Sequence, residues 1–98
     1  MLEDLTARVL RLVDGEDAFG FDIRIVVADL GCIFIDGNRE PIEVSNEDRA
    51  ADTVLRVNAS DMLALLDRRL APLNAFMLGK LSVDGDLSKA MQLTALFR

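Results

Sequence analysis

PLNAFMLGKLSVDGDLSKAMQL, residues 72 to 93, is the densest apolar passage of the chain and divides into three short elements. Pro72 suits a first helical turn, where its missing N–H would have no partner anyway, and Gly79 suits the left-handed position that closes a helix. The spacing predicts a helix over 72–78. From Lys80 to Asp84, Leu81 and Val83 alternate with Ser82 and Asp84, the period of a half-buried strand. Asp84-Gly85-Asp86 then marks a turn, with Asp86 placed to cap a final helix. In that helix Leu87, Ala90, Met91, Leu93, Thr94 and Phe97 recur at helical spacing. Between Leu73 and Leu78 only Asn74 is polar. A helix that is apolar nearly all round is expected to be buried in protein or to form the wall of an apolar hollow.

Before this passage, Leu2, Leu5, Val9 and Leu12 define an amphipathic helix of about a dozen residues, ending near Gly15. Asp4 and Arg8 are spaced to pair along it. From Phe21 the period falls to two: Phe21, Ile23, Ile25 and Val27 face one way, and Asp22, Arg24, Val26 and Ala28 the other. Turns at 29–31 and 36–38 lead to strands at 32–35 and around 42–44, so an antiparallel meander is expected, with Pro41 marking the third strand as an edge or as beginning there. Residues 45–49 read as a solvated connection. Thr53, Leu55 and Val57 form a fourth strand, and Ser60 is expected to cap a helix running to about Leu70. Strands grouped apart from most helices indicate an α+β domain, a sheet with helices layered on one face. At 98 residues the chain is expected to be one domain, 1–98.

Composition narrows the function. Seventeen acids against eleven bases give a net charge of −6, which repels phosphate backbones, and the bases form no stripe, so nucleic acid is not expected as a partner. The sequence contains no His, Tyr or Trp, and Cys32 is its only cysteine. A histidine-based triad cannot be built, a metal site is not expected, and Cys32, set in an apolar run, reads as a buried thiol. Asp84 and Asp86 are better explained by turn formation and capping than by carboxylate chemistry. With neither a secretory leader nor a run of about 20 apolar residues, the protein is expected to be cytoplasmic, without stable membrane insertion. The apolar fraction of 51% is high for this length, and fits a well-supplied core, a cavity to be lined or a surface patch seeking a partner.

Pro72, Ala75-Phe76-Met77, Gly79-Lys80-Leu81, Val83, Gly85-Asp86 and Ala90-Met91-x-Leu93 resemble the C-terminal pattern of the sterol carrier protein 2 (sterol-binding domain) family. Ala51-Asp52 with Leu55, then Asp61 and 63–66, resembles its preceding strand and helix. The resemblance implies a five-stranded sheet with helices on one face, around an apolar tunnel for a fatty acid, a fatty acyl-CoA or a sterol. It implies binding and transfer rather than catalysis, with no cofactor. Carried onto this chain, the lining is expected from Met62, Leu66, Phe76, Met77, Met91 and Phe97. The alternative is an assembly domain, in which the first or last helix makes a homo-oligomer through its apolar face.

Overall fold

The computed structural model describes residues 1–97. Its elements are α1 (Leu2–Val13), β1 (Asp22–Val27), β2 (Gly31–Asp36), β3 (Glu43–Ser45), β4 (Thr53–Val57), α2 (Ala59–Leu66), α3 (Pro72–Met77), β5 (Leu81–Gly85) and α4 (Leu87–Thr94), followed by a 3-10 turn at Ala95–Phe97. The five strands form one sheet in the order β3-β2-β1-β4-β5. The meander β1-β2-β3 is antiparallel as expected. Pairing of β4, which the strand pattern leaves open, is parallel to β1, with Ile23 beside Thr53 and Val27 beside Val57. The sheet is therefore mixed.

Period-two alternation on β1 sends Ile23, Ile25 and Val27 to the helix side, where they are buried with Ile33, Ile35, Leu55 and Val57. Leu5, Val9 and Val13 of α1, Met62 and Leu65 of α2, and Ala90 and Leu93 of α4 close over them. Arg8 does not pair with Asp4. It reaches Asp67 at 2.6 Å instead and ties α1 to the end of α2.

Two caps differ from expectation. Asn58, not Ser60, caps α2, its side-chain oxygen accepting from the Asp61 N–H at 2.7 Å. The helix also ends at Leu66 rather than near Leu70, because Arg68 turns left-handed, φ 62°. The Arg68 N–H donates to Leu65 and the Arg69 N–H to Ala64, the paired bonds of a Schellman ending in which glycine is the usual occupant. α3 ends the same way, the Gly79 N–H donating to Phe76 and the Lys80 N–H to Ala75, with Gly79 at φ 75°. A side chain at the left-handed position of α2 is the strained case of the two. Arg68→Gly is expected to raise unfolding stability by about 0.5–1 kcal/mol, measured by denaturant titration. No gain would mean that the arginine makes contacts equal to its backbone cost.

The segment 46–52 must pass from edge strand β3 to β4 on the far side of β1, and it does so across the face of the sheet that lacks helices. Asn46 donates to Thr6 and to the Cys32 carbonyl, both at 2.9 Å. The Cys32 thiol meets the Glu47 carbonyl at 3.3 Å. Asp48 pairs with Arg24 at 2.8 Å. Arg49 lies over the Phe34 ring, 4.2 Å from its centroid. Exposed along 46–50, as expected of a solvated connection, this segment is also a strap across Phe34, which is 1% exposed.

Candidate functional site

Helix α3 departs most from its sequence pattern. Among its residues only Ala75 is buried, while Leu73, Phe76, Met77 and the capping Leu78 are 54%, 40%, 74% and 66% exposed. Shortness explains this: six residues make less than two turns, so one small side chain reaches the core and the rest radiate outward. On α4, Leu87 and Met91 are four residues apart and share a face, and both are also exposed. Between the two helices lies an apolar hollow of about 330 Å³, lined by Ala71, Pro72, Leu73, Met91, Thr94 and Ala95. Thr94 adds little polarity, since its hydroxyl donates to the Met91 carbonyl at 3.2 Å. The helices are set by Pro72 at the start of α3 and by Asp86 at the start of α4, whose carboxylate accepts from the Ser88 and Lys89 N–H groups at 2.9 and 3.3 Å.

The expected lining residues fall in four places. Met91 lines the hollow. Phe76 and Met77 stand on the exposed side of α3, and Leu66 is partly buried at the end of α2. Met62 and Phe97 are closed into the core, at 1% and 4% exposure. Ala71, Pro72, Leu73, Thr94 and Ala95 also border this hollow, none of them singled out as lining by the sequence. Leu73 borders the hollow although Met77, four residues on, does not, and the two alanines carry no signal apart from their position at helix ends.

Larger concavities open elsewhere and are less apolar. One of about 590 Å³ lies on the strap side and is bordered by Arg24, Cys32, Asp48 and Arg56. Both guanidiniums there already hold carboxylates, Arg24 with Asp48 and Arg56 with Asp84 at 2.9 Å, although Arg24 Nε is buried without a partner. Burial, with help from Asp48, pushes the Cys32 thiol above its ordinary pKa, which leaves it a poor nucleophile. At the far end of the same face Asp22 and Asp36 stand opposite each other on β1 and β2. Burial and the neighbouring Asp36 raise Asp22. For Asp36, burial is outweighed by the Asn38 N–H and by Arg39, which hold it low. These acids organise a turn and the strap. Asp84 and Asp86, the remaining carboxylates in question, are occupied by Arg56 and by the α4 cap. Among the described residues no group of His, Cys, Asp or Glu could hold a metal ion, and no helix is long and apolar enough to cross a membrane.

The sequence profile of the SCP-2 sterol transfer family matches residues 6–98. The chain belongs to that family. Curated SCP-2 relatives include rabbit sterol carrier protein 2, 40% identical over 48 residues, which is 49% of this chain and 9% of that protein. Human stomatin-like protein 1 is 47% identical over 51 residues, 52% of this chain and 13% of that protein. Each match thus spans a small part of a much longer polypeptide. A solved SCP-2 structure, the Aedes aegypti sterol carrier protein 2 in complex with palmitate, superposes with a TM-score of 0.80 at 16% identity, covering 97% of this chain and 92% of that one. At such identity the likeness establishes the SCP-2 fold, a five-stranded α+β sheet with its helices on one face.

Proposed function

We propose that the protein binds an amphiphilic lipid, a fatty acid or a compound with a similar acyl chain, at the hollow between α3 and α4, as a carrier without chemistry of its own. The observation that carries this reading is the apolar hollow bordered by Leu73 and Met91, on two helices that also expose Phe76, Met77 and Leu87. At about 330 Å³ the hollow sits at the small end of ligand sites, which run from about 300 to 1,000 Å³. It can deepen at low cost, because α3 is held by one buried alanine and its end caps and so belongs to the weakly held parts of the fold. Membership of a sterol transfer family and the palmitate complex of the Aedes aegypti relative support the same ligand class.

Native mass spectrometry of the gently purified protein is expected to find a bound acyl lipid, and the emptied protein is expected to take up a fluorescent fatty acid. Leu73→Asp and Met91→Asp would each set a carboxylate against the acyl chain and should weaken uptake at least about tenfold. Neither should move the unfolding midpoint, since both positions are about half exposed. Protein that is empty as purified and also fails to bind the fluorescent fatty acid would defeat the proposal.

A further inference from the structure

We propose that the outer edge of β5 pairs with β5 of a second copy of this chain, antiparallel about Ser82, to give a two-fold dimer with one sheet continuous across both chains. The sheet ends at β3 on one side and at β5 on the other. An edge strand offers unpaired N–H and C=O groups to another strand, and shortness is one protection against this. β3 is three residues long, whereas β5 runs for five. Among the described residues no backbone hydrogen bond reaches Leu81–Gly85 except those of its ladder with β4.

The sequence along this edge is complementary to itself. In an antiparallel pair centred on Ser82, Lys80 stands opposite Asp84 and Leu81 opposite Val83, each twice. Leu81 and Val83 lie beside Val57 and Leu55 on the helix side, while Ser82 and Asp84 lie beside Arg56 and Val54 on the strap side. Opposed residues share a face of the sheet, so the apolar pairs fall among the helices and the charged pairs on the other face. Lys80 and Asp84 are both exposed. Lys80 forms no ion pair among the described residues, and Asp84 holds only Arg56, at 2.9 Å. The partner's lysine would set each Asp84 between two bases. Other registers lose this match: centring on Leu81 puts Asp84 opposite Leu78, and centring on Val83 puts Leu81 opposite Gly85. A parallel pair in register would set Lys80 beside Lys80 and Asp84 beside Asp84.

A short ladder needs apolar burial to hold. α3 packs against β5, so the two-fold brings both copies of α3 to one side of the joint sheet. There Met77 and Leu78, at 74% and 66% the most exposed large apolar residues described, supply that burial. α1, the other helix from which the sequence allowed assembly, has its apolar stripe consumed by the core, with Leu5 and Val9 at 0% exposure. Pairing at β5 uses that edge in both copies, so association stops at two.

This inference goes beyond ligand binding in the hollow and is read by a different measurement. Sedimentation equilibrium should give twice the chain mass of 10.8 kDa, falling toward one on dilution. Lys80→Asp and Asp84→Lys each set like charges opposite each other at both ends of the ladder, and each should weaken the dimer about tenfold or more. Mixing these two variants restores both pairs of opposite charge, so the mixture should form a heterodimer where neither variant dimerises alone. Arg56→Gln removes the partner of Asp84 within the chain without entering the new ladder, and should leave the dimer intact. Met77→Glu should weaken it. Far-UV circular dichroism confirms that each variant is folded. A monomer at every concentration up to about 1 mM would overturn the proposal. So would a dimer that Lys80→Asp leaves at parental strength, including one lost only with Met77→Glu, or a mixture that associates no better than its components. Dimerisation without uptake of a fatty acid would remove the ligand in the hollow and leave the β5 pairing standing.

Discussion

Gly85→Ala is expected to lower the unfolding free energy by about 2–4 kcal/mol, more than any other single methyl group placed in the turns around the candidate site. Two causes combine there. Gly85 has φ 104°, a conformation that L side chains rarely adopt, and a Cβ would lie 2.7 Å from the Asp52 carbonyl oxygen and 3.3 Å from the Thr53 Cα. Both obstacles are backbone, at the residue before β4 and at its first residue, Thr53, which pairs with Gly85, so neither can rotate away. Gly79→Ala provides the comparison. Its φ of 75° is also left-handed, but a Cβ there meets nothing within 4 Å, and the cost should be about 1 kcal/mol. Denaturant unfolding of the two variants measures the difference. Equal losses would show that conformation alone, and not the approach of Asp52, makes Gly85 necessary.

The second large effect is expected at Phe34, on the face of the sheet without helices. Phe34→Ala should cost about 3–5 kcal/mol, as for a fully buried ring. Phe76→Ala, at a ring 40% exposed on α3, should cost about 1 kcal/mol or less. Arg49 covers Phe34 and also reaches Asp36 at 3.5 Å and Glu47 at 3.2 Å, so Arg49→Ala should cause only a fraction of the Phe34 loss, a cost of about 0.5–1 kcal/mol. The check is the same unfolding titration on all three variants. A small effect at Phe34 would mean that the strap does not hold the ring away from water in solution.

The contrast between these phenylalanines shows where sequence reading succeeds and where it stops. Period-two alternation on β1 and β4, proline at the start of α3 and the Asp86 cap of α4 are local signals, and each element they predict is present. The family pattern, read at Pro72, Gly79 and Gly85, rests on backbone requirements that are likewise local. Burial on α3 is not local. A continuous apolar string implied a buried or lining helix, but its length allows only Ala75 to reach the core, and length relative to the neighbouring layer is a tertiary property. The strap was equally hidden. Residues 45–49 are polar, and nothing in them reveals that the chain must cross the sheet, since that follows from β4 pairing with β1. The candidate site was legible in part for the same reason: Met91 comes from the family resemblance carried onto the last helix, whereas Ala71 and Ala95 border the hollow only because two helix ends meet there.

The parallel pairing of β1 with β4 also governs how the chain comes together. Ile23 and Thr53 are partners thirty residues apart, so the sheet's central ladder forms only by closing a long loop, whereas the β1-β2-β3 meander closes through short turns. Local pairing is expected early and the central ladder late, the order that loop-closure entropy favours. The strap belongs to no ladder. A peptide bond cut within 46–52 would therefore sever the chain without breaking a strand. The two pieces, α1 with β1 to β3 and β4 with the remaining helices and β5, would each keep one unpaired strand edge, on β1 and on β4, that fits the other, which makes this junction the natural place to divide the protein into complementing fragments.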